Sequence, residues 1–137
     1  MVMENVKRRK TIYPSSVFII AGEKMIIPEP IKCEIEHKGG VDNLYKKMPP
    51  EDEFKRWSEI HHALSSPLRL KILYMVARQP LCVCIIKHIL KVPDSKLSYH
   101  LSILSGSGII KGTREGNWII YSATEEGKQM IEGISGK

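Results

Sequence analysis

Two cysteines separated by one residue, Cys82 and Cys84, are the side chains of this 137-residue chain best suited to bind a soft ion. Thiolates prefer thiophilic metals and metalloids to the hard ions that oxygen ligands hold. Three thiolates suit As(III), Sb(III) or Pb(II), whereas Zn(II) and Cd(II) favour four ligands. Cys33 is the one further cysteine and therefore the only candidate for a third sulfur. Nitrogen ligands could come from His37, His61, His62 and His88.

The spacing of the cysteine pair restricts how it could hold one ion. Side chains at positions i and i+2 of a regular helix point about 200° apart. Both thiols can therefore meet one ion only if Cys82 lies at a helix N-cap or if the first turn is distorted. A position at a helix N-terminus would also lower the thiol pKa and favour the thiolate. The alternative interpretation is that Cys82 and Cys84 are small, partly buried residues without a ligand and that Cys33 is incidental.

A second group of side chains is suited to contact DNA, and it lies on one predicted helix. Leu97, Leu101 and Leu104 follow one another at i, i+4 and i+7, which predicts the buried face of that helix. The opposite face carries short hydroxyls, a cation and an aromatic donor, which can reach base edges or phosphates. These predicted DNA-binding residues are Ser95, Lys96, Ser98, Tyr99 and Ser102, with His100 at the boundary of the face. The alternative is an ordinary solvated polar face.

A predicted β-hairpin follows this helix directly. Two strand-like runs, 109–113 and 117–122, flank a turn at Glu115 and Gly116. Lys111 and Arg114 are its cations, and we expect them to contact phosphates or the minor groove. Because a basic hairpin comes behind the hydroxyl-rich helix, DNA binding is favoured over a solvated face. The residues expected to pin the hairpin to the core are Trp118 and Ile120.

Five helices are predicted to position these groups. The first begins with three acidic residues after a proline pair, where they complement the helix dipole. Ser66 and Pro67 predict the N-cap and first turn of the second helix. The third and fourth cover about residues 82–91 and 94–106, and the last begins after Thr124. This order predicts a mainly α fold with a small β part, namely a winged helix-turn-helix.

Residues 1–52 are predicted to form an N-terminal extension, and residues 53–137 a DNA-binding and dimerisation domain. The extension opens with a basic tail at residues 1–10. Its apolar runs predict two or three short strands, the first two as a hairpin around Gly22 and the third at about 31–35. Glycine and proline pairs mark linkers, at Gly39-Gly40 and Pro49-Pro50.

Charge and composition narrow the classes of partner. The net charge is +6, and residues 53–137 hold twelve basic against seven acidic side chains, which favours an anionic partner such as double-stranded DNA. No apolar run approaches the roughly eighteen residues of a membrane helix, and we expect no membrane partner. Since no secretory signal is evident, we expect a cytoplasmic protein with free thiols. No nucleophile–base pair, phosphate loop or acid pair indicates an enzyme.

Residues 54–134 resemble the arsenical-resistance-repressor type of metal-sensing winged helix-turn-helix regulators, often named after ArsR. The resemblance rests on Leu81-Cys82-Val83-Cys84, on Ala63 to Leu70 and on Ser95 to Leu101. The chain departs from the family's cysteine motif, since Pro80 and Ile85 replace its two acids. Some relatives have a third cysteine where this chain has Lys87, and others an Asp-x-His pattern that the last helix lacks.

The resemblance implies a cytoplasmic homodimer that represses an operator and releases it when a thiophilic ion binds. It also implies that a cysteine of the N-terminal extension, here Cys33, can join the metal site. No cofactor is expected to be required, and the possible effector ions are As(III), Sb(III), Cd(II), Pb(II) and Zn(II). A homodimer is also favoured by two apolar helix faces that exceed one small core, comprising Phe54, Trp57 and Leu64, and Met130, Ile131 and Ile134.

The sequence thus predicts a sequence-specific DNA-binding transcriptional regulator, a repressor released by a metal or a metalloid such as arsenite. The alternative is a regulator of the same fold that answers to redox state or to a partner protein, without metal sensing. In that case the strands of the N-terminal extension would form the docking surface.

Overall fold

The computed structural model describes residues 15–136, which form two compact units, one ending at Pro50 and the other beginning at Glu51. The basic tail predicted at residues 1–10 lies outside the described residues.

The N-terminal unit begins with the predicted hairpin, which is confirmed. Strands β1 (Ser15–Ile20) and β2 (Glu23–Pro28) pair antiparallel. The two residues between them, Ala21 and Gly22, both have positive φ angles, of 49° and 84°. Two positive φ angles in a two-residue connection match the twist of paired strands, which explains the glycine.

Two short helices complete this unit, α1 (Glu29–His37) and α2 (Gly40–Lys46), and neither contains a buried residue. The apolar run at 31–35 therefore lies in a helix, and the third strand predicted there is wrong. Ile31 and Ile35 are four residues apart and share one helix face. A proline in the first turn fixes a helical φ angle without losing a hydrogen bond.

The C-terminal unit is a winged helix-turn-helix, as predicted. Strand β5 (Trp118–Ala123) lies in the middle of a three-stranded antiparallel sheet, with β3 (Leu81–Cys82) and β4 (Ile110–Glu115) on its two sides. The predicted N-cap forms, since Ser66 accepts a hydrogen bond from the Arg69 N–H. The last helix begins after Thr124 as predicted, and the Thr124 hydroxyl accepts a hydrogen bond from the Gly127 N–H. The elements are α3 (Glu51–Ala63), α4 (Pro67–Arg78), β3 (Leu81–Cys82), α5 (Val83–Leu90), α6 (Asp94–Gly106), β4 (Ile110–Glu115), β5 (Trp118–Ala123) and α7 (Glu125–Ser135).

Every helix of this unit contributes to one apolar core. Its most deeply buried side chains come from α3, α4, α5, α6 and the residue before β4, and they are Ile60, Ile72, Leu73, Val76, Ile86, Leu97, Leu104 and Ile109. The core therefore fixes α6 and the β4–β5 hairpin within one packed unit.

The first turn of α7 packs against the backbone before β4, and we expect it to tolerate no side chain. A Cβ added at Gly127 would lie 2.0 Å from the Ile109 carbonyl oxygen, whereas one added at Gly133 of the same helix would meet nothing within 4 Å. Gly127→Ala is expected to lower the free energy of unfolding by about 1–3 kcal/mol through overpacking. Gly133→Ala should raise it by up to about 1 kcal/mol through helix propensity. Urea unfolding followed by circular dichroism measures both, and equal effects would contradict this packing.

Candidate nucleic-acid interface

Helix α6 presents the predicted polar face to solvent. Leu97, Leu101 and Leu104 are buried, as their spacing predicts. The side chains that the sequence singles out on the opposite face are exposed, and they are Ser95, Lys96, Ser98, Tyr99 and Ser102. Tyr99 is 61% exposed, and His100 is half-buried at the edge of the face. The helix thus offers hydroxyls, a cation and a phenol together, and their contact with DNA stays a prediction.

A three-residue turn joins α5 to α6 and fixes their geometry. Lys91 ends α5 with a φ angle of 53°, and its N–H donates to the Lys87 carbonyl at 2.8 Å. The Lys87 ammonium also lies 2.7 Å from the carboxylate of Asp94, the first residue of α6. An acidic first turn is favourable at the positive end of the helix dipole. The two helices are therefore tied together where α6 begins.

The two cations of the wing, Lys111 and Arg114, are exposed but lie on opposite faces of the hairpin. Arg114 pairs with Ile119, and Lys111 pairs with Ser122. Residues directly opposite each other in a sheet share a face, and residues three apart on one strand do not. Arg114 thus shares its face with Ile119, which lines the groove beside α6, and we expect Arg114 to contribute more to DNA binding than Lys111.

Trp118 does not pin the hairpin to the core, and that expectation is wrong. It is 60% exposed, whereas Ile120 is half-buried. The two residues lie on one face of β5, but Trp118 pairs with Glu115 beside the turn, at the far end of the hairpin. The alternation of apolar residues in the sequence predicts which side chains share a face of β5, but it does not show how far along the strand the core extends.

An open groove of about 890 Å³ runs between α6 and the wing. Helix α6 lines it with three hydroxyls, those of Ser98, Ser102 and Ser105, and the wing with Asn117, Trp118, Ile119 and Tyr121. The side chain of Cys84 borders the same groove. One of the candidate effector thiols therefore lies beside the surface predicted to read DNA.

Cys82 occupies the N-cap of α5, the position that the spacing argument requires. Its backbone is extended, and it pairs with Ile120 of the wing, so that it belongs both to the sheet and to the start of the helix. The neighbouring Cys84 thiol and the Ile85 backbone N–H lower the pKa of the Cys82 thiol. The same hydrogen bond, together with burial, raises the pKa of Cys84. Cys82 is therefore the first of the two thiols to ionise.

Within the described part of the chain, no third ligand lies beside this pair. Among residues 15–136, no three His, Cys, Asp or Glu side chains lie close enough together to hold a metal ion. Cys33 is exposed on α1 in the N-terminal unit, with its sulfur 3.7 Å from a carboxylate oxygen of Glu29. Its participation in a metal site stays a prediction. The histidines named as nitrogen donors are exposed, namely His37, His61, His62 and His88.

Arg69 is the only buried charged residue among those described, and the sequence patterns did not single it out as functional. Its guanidinium contacts the end of α3 and His100 of α6. An arginine between two leucines in the first turn of α4 could have drawn attention to it.

Of the helices described between residues 15 and 136, none is long and apolar enough to cross a membrane.

Comparison with known proteins agrees with this geometry. Residues 66–111 match the family described as bacterial regulatory protein, arsR family. The HTH-type transcriptional regulator MJ1325 of Methanocaldococcus jannaschii is 37% identical over 76 residues, which cover 55% of this chain and 85% of that protein. A homologue of the cadmium resistance regulatory protein CadC from Staphylococcus aureus is 31% identical, covering 73% of this chain and 85% of its own.

A solved structure shares both fold and sequence with the chain. Reduced HlyU from Vibrio cholerae has a TM-score of 0.58 and 28% sequence identity, and the match covers 63% of this chain and 92% of that one. These relatives are transcriptional regulators or share their winged fold, and the chain has the helix, turn and wing that such regulators place on DNA. The protein therefore belongs to the ArsR family and is a DNA-binding transcriptional regulator, not an enzyme.

Proposed function

We propose that the protein is a cytoplasmic, homodimeric repressor that leaves its operator when a thiophilic metal or metalloid ion binds to Cys82 and Cys84. The observation that carries this proposal is the position of Cys82 at the N-cap of α5, with the Cys84 thiol beside it. The name of the cadmium-resistance relative supports metal as the class of signal.

The contacts of Cys82 connect the proposed ion site to both DNA-binding elements, the wing and α6. Cys82 pairs with Ile120 of the wing and begins α5, and α5 is tied to α6 by the Lys87–Asp94 ion pair. The two thiols already lie within hydrogen-bond reach of each other, and an ion held by both sulfurs would pull on the first turn of α5. That pull would disturb the wing and the support of α6 together, so the ion would bias the protein against its DNA-bound state.

The chemistry of the two thiols favours arsenite or antimonite as effector. The lowered pKa of Cys82 favours the thiolate that binds metal ions, and Cys84 supplies a second sulfur. As(III), Sb(III) and Pb(II) then need one further sulfur, whereas Zn(II) and Cd(II) need two further ligands. We propose Cys33, from the same or the partner subunit, as the third sulfur.

A second copy of the chain would cover apolar side chains that one copy leaves in water. Phe54 and Trp57 of α3 form an edge-to-face pair with ring centroids 5.3 Å apart, and both are exposed, as is Ile134 of α7. Leu64 and Ile131, which the sequence analysis placed in these faces, are buried within the unit. A symmetric dimer would set its two α6 helices about one DNA turn apart.

The test is release of a cognate duplex, selected from a random library, by arsenite, cadmium or zinc. The protein is kept reduced with a phosphine, because a dithiol reductant would itself bind arsenite. Light scattering first establishes whether the mass is twice 15.6 kDa. We expect arsenite to weaken cognate binding by about a hundredfold, equivalent to about 2.7 kcal/mol of coupling between ion and DNA. A monomer contradicts the dimer, and unchanged affinity with all three ions contradicts metal sensing.

A redox-regulated repressor is the second candidate, favoured by the lone thiol pair with one lowered pKa and by the relative described as reduced HlyU. The Cys82 thiolate would attack hydrogen peroxide, so that an S–O bond forms as the O–O bond breaks. The sulfur is oxidised by two electrons to a sulfenic acid, and the second peroxide oxygen leaves as hydroxide, which is protonated to water. Peroxide that releases the duplex, reversibly with reductant and without any ion effect, would favour this candidate. Peroxide without effect would exclude it.

A further inference from the structure

Arg69 is buried and 6% exposed, yet none of the ion pairs among the described residues gives it a carboxylate partner. Its guanidinium donates instead to the last turn of α3, from Nε to the Ala63 carbonyl at 2.7 Å and from Nη2 to the His62 carbonyl at 3.3 Å. Carbonyls at the end of a helix have no partner within the helix. The side chain therefore satisfies the end of α3 and adds a positive charge where the dipole is negative.

The same guanidinium reaches α6 through its remaining nitrogen. Nη1 lies 3.0 Å from Nδ1 of His100, which is 31 residues along the chain. A guanidinium only donates hydrogen bonds and stays charged, so the Nδ1 atom facing it must accept. The imidazole is then neutral, with its proton on Nε2. One side chain thus joins the end of α3, the start of α4 and the edge of α6.

We propose that Arg69 is a positioning residue for DNA binding, which holds α6 in its DNA-bound orientation through the unprotonated Nδ1 of His100. Protonation of His100 breaks this contact and weakens specific binding. The inference rests on the proposed role of α6 in reading DNA.

Burial and two nearby cations oppose the protonation of His100. Arg69 faces it from α4, Lys96 lies one turn earlier on α6, and the Tyr99 ring is 5.2 Å away between centroids. Helix α3 contributes only backbone carbonyls, which bind Arg69. Burial first, and then the charges of Arg69 and Lys96, lower the pKa of His100. The contact is therefore intact above the ordinary histidine pKa of about 6.5 and is lost as pH falls through the lower folded value.

The expected pH dependence has an unusual sign. Acidification makes the net charge of a protein more positive, which strengthens its attraction to phosphates. Loss of the Arg69–His100 contact lowers the affinity instead, because it disturbs the orientation of α6. Specific binding that weakens in acid is therefore a signature of this pair.

Two substitutions of His100 separate its ring nitrogens. His100→Asn keeps an acceptor at the position of Nδ1 and cannot titrate, whereas His100→Gln places its polar group near the position of Nε2. His88→Asn, at an exposed histidine of α5, is the matched control. Fluorescence anisotropy measures binding of the full chain to its selected duplex at constant salt, in a pH series that starts above the ordinary histidine pKa of about 6.5 and continues well below it. Side-chain 15N spectra identify the tautomer of His100 without DNA.

We expect the affinity of wild type and of His88→Asn to fall by about tenfold towards the acid end of the series. His100→Asn should lose this acid effect, and His100→Gln should bind about tenfold more weakly than His100→Asn at the alkaline end of the series. The spectra should show a neutral ring protonated at Nε2. A proton on Nδ1, or an acid effect that persists in His100→Asn, would overturn the proposal. If wild type binds no duplex, the role of α6 fails, while the spectra still test the contact.

Discussion

Ser98→Ala on α6 is expected to weaken binding to the cognate duplex by about tenfold and to leave binding to unrelated duplexes unchanged, because a serine hydroxyl on this face can discriminate base edges. Ser98 is exposed and lines the groove between α6 and the wing. Arg114→Ala should instead weaken binding to all duplexes and reduce the slope of log affinity against log salt by about 1, because it neutralises a phosphate. Anisotropy titrations over a range of salt concentrations measure both quantities.

Lys111→Ala is the matched control for Arg114→Ala. Both residues are exposed cations of β4, but Lys111 lies on the other face of the hairpin. We expect its loss to have the smaller effect, and Lys96→Ala on α6 to resemble Arg114→Ala. Unchanged binding in both Lys96→Ala and Arg114→Ala would show that the protein docks on DNA in another orientation.

The Cys82→Ser/Cys84→Ser double variant is expected to bind the cognate duplex with unchanged affinity and to lose its response to arsenite completely. Serine is close to cysteine in size and is a favoured N-cap residue, so the start of α5 should be preserved. A serine hydroxyl does not ionise near neutral pH and does not replace a thiolate as a ligand for As(III). The measurement is the arsenite concentration that releases half of the duplex.

Cys33→Ser separates the third sulfur from the pair. If Cys33 completes the site, this variant should need at least about tenfold more arsenite than wild type to release half of the duplex, because it has lost one ligand of the ion. A response equal to that of wild type would remove Cys33 from the site and retain the pair. Equal release in wild type, Cys33→Ser and the double variant would place the signal elsewhere.

The elements of the C-terminal unit could be predicted because their local signals agree with one another. The three leucines of α6 follow the helical period, Ser66 forms the expected cap of α4, and the last helix begins after Thr124 as expected. The wing strands pair around a glycine. The third apolar run of the N-terminal extension was ambiguous. Its residues Ile31, Cys33 and Ile35 fit the alternation of a strand, while Ile31 and Ile35 equally fit one face of a helix.

The parts of the site that depend on contacts distant in sequence could not be predicted. Alternation placed Trp118 and Ile120 on one face but could not show that only Ile120 reaches the core. Lys111 and Arg114 were predicted as equivalent cations, and only the register of β4 and β5 separates their faces. Arg69 and His100 meet because α3, α4 and α6 converge, which no local pattern encodes.

Amide hydrogen exchange, measured by mass spectrometry with and without the cognate duplex, tests most directly whether α6 and the wing bind DNA. We expect slower exchange in α6, β4 and β5 when the duplex is present, with α1 and α2 unchanged. Slower exchange confined to α1, α2 or the hairpin of the N-terminal unit, with α6 and the wing unchanged, would contradict it.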